Sequence, residues 1–273
     1  MTKNMLNLTI DSESSMEKLR WIMEELRNPK TGCPWDIKQD FASVVPYTLE
    51  EAYEVADAIE QGDFAELEKE LGDLLFQVVF YSQLGTEKQL FDFDSVIAAI
   101  CEKLIRRHPH VFANDDLTTD AEIKANWENE KAKERQYKNA KEDLSILADI
   151  PKNLPALSQA AKIQKRCAHV GFDWHNIDDV FAKVVEEVDE VKDELHHNPK
   201  ALAEELGDLM FAVVNLCRHA NQDPEALLRQ ANKKFTKRFH GVEDRVVQSN
   251  KSFNEHNLET LEEYWQQVKL AEK

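Results

Sequence analysis

Glycine and proline are scarce in this chain, at 7 and 8 of 273 residues, and no series of period-two strands with hairpin turns can be traced. With charged residues at 32%, that profile points to a helical, soluble protein rather than a turn-rich β architecture. The four cysteines, Cys33, Cys101, Cys167 and Cys217, form no Cys-x-x-Cys pair, which excludes a zinc knuckle and a dithiol redox motif. Reduced thiols fit a cytoplasmic setting. The apolar run Leu74–Tyr81 is too short to cross a bilayer, and the opening segment MTKNMLNLTIDSES has neither the basic start nor the long apolar core of a signal peptide. Positive charge is also in short supply. With 34 Lys+Arg against 52 Asp+Glu, the net charge of −18 repels nucleic-acid backbones and anionic membranes, so neither is expected as a partner. A small polyphosphate accompanied by divalent cations remains compatible with that field. The usual strand–loop–helix phosphate cradles, Gly-x-x-x-x-Gly-Lys-Ser/Thr and Gly-x-Gly-x-x-Gly, are absent, as is His-Glu-x-x-His. A ferritin-like di-iron site needs two Glu-x-x-His motifs; only Glu194-x-x-His197 is found, and Ala58 and Gln61 stand at the matching places in the first half.

What the chain does contain is one acidic pattern written twice. Residues 49–84 and 185–219 each carry Glu-Glu-x-x-Glu on one expected helix and Glu-x-x-Asp on the next, and the second helix then turns strongly apolar. Residues three or four apart share a helix face. Glu51 with Glu54, Glu70 with Asp73, Glu187 with Glu190 and Glu205 with Asp208 are therefore pairs on common faces. Glu70 lies one turn from Leu67 and Leu74, and Glu205 one turn from Leu202 and Leu209, so these acids border stripes directed at a core. An ionised carboxylate left unpartnered there costs several kcal/mol. Any one such Glu is ordinarily a solvated surface residue, and Glu51 has the further option of a capping box with Thr48. The recurrence of the whole set, with Glu187 well inside its helix, favours two packed helices presenting oxygen donors to Mg²⁺, or to Mn²⁺ in its place. Gly72 and Gly207 sit within the same expected helices, at about 1 kcal/mol each relative to Ala. They serve either close helix packing or room for a phosphate or metal.

The duplication extends beyond the acids. Lys103 and Arg107 correspond to Lys234 and Arg238, and Trp127 and Lys131 to Trp265 and Lys269. Each basic pair shares a helix face and suits phosphate oxygens; each Trp suits base stacking, though both types are common as surface charge and core respectively. Trp35 and Trp174 precede the acidic helices at unequal spacing and carry less weight, as do Lys162, Lys165 and Arg166. Helices are expected from near Thr48 to Gln61, from Asp63 to Gly85, over Asp94–Arg107 and after Thr119-x-x-Glu122. They resume over Ala156–Ala168, Asp178–His197, Lys200–His219, Pro224–Val246 and Leu258–Ala271. The reading is all-α, with a domain at 1–137, a linker at 138–155 and a second domain at 156–273.

These residues resemble the MazG family of nucleoside triphosphate pyrophosphohydrolases, within the all-α NTP pyrophosphatases. The similarity runs from about Glu17 to Lys269. It includes Gly32–Asp36 (GCPWD), Arg106–Phe112 (RRHPHVF) and Lys162–Trp174 (KIQKRCAHVGFDW), the pattern of the two-domain bacterial form. The resemblance implies a tandem of two MazG-like helical bundles in a dimeric assembly. It also implies Mg²⁺-dependent hydrolysis of NTPs, ATP among them, to NMP and pyrophosphate, a role in nucleotide-pool house-cleaning. It places metal on Glu51, Glu54, Glu70 and Asp73 and on Glu187, Glu190, Glu205 and Asp208. Nucleotide contacts fall to Lys103, Arg107, Trp127 and Lys131 and to Lys234, Arg238, Trp265 and Lys269. Glu50 or Glu186 is the neighbouring carboxylate suited to take a proton from water, beside Glu51, Glu54, Glu187 and Glu190 in the catalytic set. The alternative is a regulatory helical protein that binds Mg²⁺–nucleotide without turnover; a scaffold with merely solvated acids is the third reading. A homodimer is also expected, because a domain of few long helices struggles to enclose both faces of Leu74–Tyr81.

Overall fold

The computed structural model describes residues 15–113, 118–139 and 145–272, and every regular element among them is helical. Residues 140–144 of the expected linker and the segment MTKNMLNLTIDSES lie outside the described residues. The chain divides between Lys131 and Ala132 into two compact units.

The first unit holds α1 (Ser15–Leu26), α2 (Phe41–Gln61), α3 (Phe64–Glu87), α4 (Phe93–Arg107), the single turn α5 (Pro109–Phe112) and most of α6 (Asp120–Asn139), with a 3₁₀ turn at Asp36–Lys38. Helix α2 begins two turns before the expected start near Thr48. Asp40 caps it, accepting from the Ala42 and Ser43 amides at 2.9 Å each while Ser43 Oγ accepts from the Asp40 amide at 2.8 Å. Pro46 therefore lies inside the helix, where it removes one backbone bond. That loss is offset by the reciprocal cap and by Val44, which is almost fully buried. Thr48 caps nothing: its hydroxyl donates to the Val44 carbonyl at 3.2 Å and lies 3.0 Å from the Tyr81 hydroxyl. The suggested box with Glu51 does not form, and Glu51 sits as deep in its helix as Glu187 does in its own.

Gly62 ends α2 in the left-handed region at φ 72°, which glycine reaches without strain, and Asp63 then caps α3 through the Ala65 and Glu66 amides. This tight turn is what folds α3 back along α2 and brings the two acidic pairs together. The core behind them is made by Met23, Val44, Val79, Phe80, Leu84 and Phe93. Arg27, buried at the end of α1, donates from Nε and Nη2 to the two oxygens of Glu87, each at 2.7 Å, and clamps α1 to α3.

The second unit contains α7 (Ala156–His169), α8 (Ile177–Glu194), α9 (Pro199–His219), α10 (Pro224–Gln248) and α11 (Leu258–Ala271), with a 3₁₀ turn at Phe253–Glu255. Asn176, Asn198, Asp223 and Asn257 cap α8 to α11 in turn, each accepting a backbone amide of the first turn. Helices α8 and α9 form the same short-linked hairpin as α2 and α3. Helix α7 packs on α9, and α10 packs on α11. A Cβ placed on Gly241 would stand 2.8 Å from Val268 Cγ2, so glycine is what lets α10 and α11 approach there.

Candidate active sites

In the first unit α2 carries Glu50, Glu51 and Glu54, and α3 carries Glu70 and Asp73. Glu51, Glu70 and Asp73 each offer a carboxylate oxygen, all within 4.8 Å of one another. Glu54 stands beside this trio, close enough for its carboxylate to raise the pKa of both Glu51 and Glu70. Burial and the neighbouring charges of Asp73, Glu54 and Glu50 hold the Glu51 carboxyl above the usual carboxylate range. Burial, Glu54 and Glu66 do the same to Glu70.

In the second unit a different three of the matching four converge, Glu187 and Glu190 on α8 and Glu205 on α9, again with oxygens within 4.8 Å of one another. Asp208, one turn beyond Glu205, lines a cavity with Glu187 rather than joining that trio. Glu187 is only 5% exposed. Its Oε1 accepts from Lys183 Nζ at 2.7 Å, and its Oε2 is buried without a partner. Lys183 also donates to Glu186 Oε1 at 2.8 Å, and these two bonds push its pKa well up. Glu190 is raised by burial and by the charges of Glu187 and Glu205. A buried carboxylate oxygen without a partner, in a residue grouped with two further carboxylates, is one that a cation could satisfy. The all-oxygen donor set suits a hard divalent ion.

A Cβ built on Gly72 or Gly207 meets no atom within 4 Å. Close packing between helices therefore does not explain these two glycines within the described residues; they border open space beside the acids.

A cavity of about 160 Å³ opens against Glu187 and Asp208. Its apolar wall includes Phe172, Trp174, Val180 and Phe211, and its polar lining includes Gln164, Asn215 and Arg218. Asp173 anchors one side, accepting from Arg218 Nη1 at 2.9 Å, Arg218 Nη2 at 2.5 Å and His219 Nε2 at 2.9 Å. Burial works upward on the Asp173 carboxyl, but the Arg218 and His219 bonds and charges outweigh it and take the pKa down to about 2. In the first unit the position matching Asn215 is Phe80, which is 2% exposed and fills the core with Met23 and Val44. Trp35, the counterpart of Trp174, packs edge-on against Tyr47 at 5.5 Å.

The basic and aromatic residues gather elsewhere. Lys234 and Arg238 line a groove with Lys233, Lys237, Arg245 and Glu272, to which neither α8 nor α9 contributes. Arg238 donates to Glu272 at 2.8 Å and lies 6.0 Å from the centre of the Trp265 ring, which in turn sits 5.1 Å from Phe235. Lys269 is half-buried one turn from Trp265 on α11. In the first unit Trp127 stands edge-on to His108 at 5.3 Å with its Nε1 buried and unpartnered, Lys131 donates to Glu128 at 2.9 Å, Asn126 donates to the Arg107 carbonyl at 3.4 Å, and Lys103 is exposed on α4. Lys183, Gln164, Asp173 and Asn215 were not singled out in the sequence. Only Lys183 left a trace, as a lysine one turn before Glu187, and Tyr47 takes its place before Glu51.

A family model for the MazG nucleotide pyrophosphohydrolase domain matches the chain twice, over residues 39–112 and 176–247. The nucleoside triphosphate pyrophosphohydrolase of Escherichia coli (strain K12) is 51% identical over 262 residues, spanning 95% of this chain and 98% of that protein. A nucleoside triphosphate pyrophosphohydrolase/pyrophosphatase MazG of Thermotoga maritima is 42% identical over 253 residues, spanning 93% of this chain and 95% of that one. A crystal structure of a mazG-related protein from Thermotoga maritima aligns with 42% of this chain and 98% of its own, at 29% identity and a TM-score of 0.37.

Proposed function

As this chain belongs to the MazG nucleotide pyrophosphohydrolase family, we propose that it is an enzyme that hydrolyses nucleoside triphosphates to nucleoside monophosphates and pyrophosphate, with Mg²⁺ as cofactor. The observation that carries the reading is the buried, unpartnered Glu187 Oε2 beside Glu190 and Glu205. Glu187, Glu190, Glu205 and Asp208 would hold the ion in the second unit, and Glu51, Glu54, Glu70 and Asp73 in the first. The ion would neutralise phosphate charge and acidify the attacking water. Cleavage adds water across the α–β phosphoanhydride, so that pyrophosphate leaves and the nucleoside keeps one phosphate. Glu186 would accept the water's proton, with Glu50 as its first-unit counterpart. Lys183 bridges Glu186 and Glu187 and thereby holds the acceptor in place.

The aromatic cavity beside Glu187 supports base binding in the second unit, whereas buried Phe80 argues against it at the matching place in the first. Turnover is accordingly assigned to the second unit. Lys234, Arg238, Trp265 and Lys269 form a cationic, aromatic surface suited to phosphate and base. We also propose a homodimer. Leu71, Leu75 and Val78 on α3 and the matching Leu206, Met210 and Val213 on α9 are exposed apolar stripes that a second copy would cover. No described helix is long and apolar enough to cross a membrane. The free cysteines suit the cytoplasm, and clearing the nucleotide pool there is the physiological role we infer. The test is product identity. Purified protein with Mg²⁺ and an NTP should yield NMP and pyrophosphate in equal amounts; orthophosphate without pyrophosphate would overturn the assigned reaction.

A further inference from the structure

Two buried amide side chains line the cavity beside Glu187, and each is held by one end only. Gln164, on α7 and 7% exposed, donates from Nε2 to the Phe211 carbonyl at 2.8 Å. A carbonyl can only accept, so this bond fixes which end of the amide is which and leaves Oε1 as the free end. That Oε1 is buried and has no partner. Asn215, on α9 and 4% exposed, accepts at Oδ1 from Arg218 Nε at 2.9 Å and Nη2 at 2.7 Å. A guanidinium can only donate, so the Asn215 orientation is fixed as well, and its NH₂ is the end that Arg218 does not hold. Arg218 is itself locked by Asp173. The lining of the cavity thus includes one oriented acceptor and one oriented donor, together with the aromatic side chains of Phe172, Trp174 and Phe211.

We infer that Gln164 and Asn215 read the hydrogen-bonding edge of the substrate's base. Aromatic walls accept any flat ring, because every base has a π-face. The amides add a chemical requirement that stacking lacks, namely a donor and an acceptor side by side on the ring's edge. For adenine the assignment is unambiguous. Its exocyclic amine donates to Gln164 Oε1, since that is the free acceptor, and its ring N1 accepts from Asn215 Nδ2. An apolar molecule of the same shape leaves Gln164 Oε1 buried and unsatisfied, and a site built to hydrogen-bond a group rejects the analogue that lacks it. The Asp173–Arg218 pair acts as a positioning element, because it sets the Asn215 amide rather than touching the base.

This inference rests on the proposed hydrolysis of nucleoside triphosphates, and the test separates the two. Pyrophosphate release with Mg²⁺ is compared for ATP, for purine riboside triphosphate, which lacks the amine, and for 1-deaza-ATP, which lacks the ring acceptor. Each analogue should lower kcat/KM about tenfold to a hundredfold in the wild-type protein. In Gln164→Leu the ratio of ATP to purine riboside triphosphate should collapse toward one, while the 1-deaza penalty persists. Equal rates on ATP and both analogues in the wild type would overturn the inference and leave the hydrolase reading intact. So would a Gln164→Leu variant that melts normally and keeps the ATP preference. If Gln164→Leu does not fold, the wild-type comparison decides alone. No pyrophosphate from any of the three would refute the hydrolase reading itself.

Discussion

Replacing Lys183 with Met keeps most of the unbranched side chain and removes the charge that joins Glu186 and Glu187. Lys183 Nζ lies 2.7 Å from Glu187 Oε1, a separation at which opposite unit charges attract by roughly 6 kcal/mol at an effective dielectric of about 20. Desolvation of Glu187 opposes most of this, and the Lys183 side chain, 33% exposed, is partly screened by solvent. The expected net loss in metal-free protein is therefore about 1–3 kcal/mol. For a unit of this size that lowers the Tm by a few degrees, about 2–8 °C. The assay is thermal unfolding of both proteins in chelator and in millimolar Mg²⁺. In chelator the variant should melt lower, because the clustered carboxylates have lost the ammonium that bridges Glu186 and Glu187. Added Mg²⁺ should raise the variant more than the wild type, since the ion replaces the missing charge and stabilises whatever state it binds. Equal melting in chelator, or equal Mg²⁺ shifts, would refute the electrostatic reasoning.

Other expectations concern pH and the open spaces. Glu51, Glu70 and Glu190 titrate above the ordinary range in the folded protein, so protonation favours folding. Their contribution is present below the unfolded pKa and is lost as pH rises through the folded values. Melting temperatures in chelator should accordingly rise as pH falls from neutral toward the ordinary carboxylate range, and saturating Mg²⁺ should remove that rise. Asp173 has the opposite sign. Its contribution is present above 3.8 and disappears as pH falls toward 2, and Asp173→Asn should lower stability at neutral pH by about 1–2 kcal/mol while narrowing the gap in acid, as read by urea unfolding. Gly207→Ala places a Cβ where no atom lies within 4 Å, inside α9. It should stabilise the metal-free protein by about 0.5–1 kcal/mol, and a fall in turnover alongside that gain would mark the space as one that substrate occupies.

The helical plan was legible because its breaks are chemically explicit. Gln61-Gly62-Asp63 and His108-Pro109 end one helix and start the next where the punctuation places them, and Asn198-Pro199 opens α9. The exception is α2, expected to start near Thr48, which Asp40 and Ser43 begin two turns earlier so that Pro46 lies within it. Three members of each acidic set, Glu51, Glu70 and Asp73 and then Glu187, Glu190 and Glu205, converge as the repeat implied, because side chains three apart on helices joined by a short turn have few other places to go. What the repeat concealed is where the halves differ. The repeat selects what both copies retain, so Lys183 opposite Tyr47 and Asn215 opposite Phe80 do not stand out from it. Those unshared positions are the ones that give the second unit a polar cavity and the first a closed core.

The most direct measurement is the initial rate of pyrophosphate release at saturating Mg²⁺ and NTP, for the wild type, Glu190→Gln and Glu54→Gln. Removing a charge from the second cluster should reduce the rate by a hundredfold or more, on the order of 3 kcal/mol of lost stabilisation, while Glu54→Gln should keep most of it. A Glu190→Gln protein that folds, binds NTP and turns over at the wild-type rate would contradict the account.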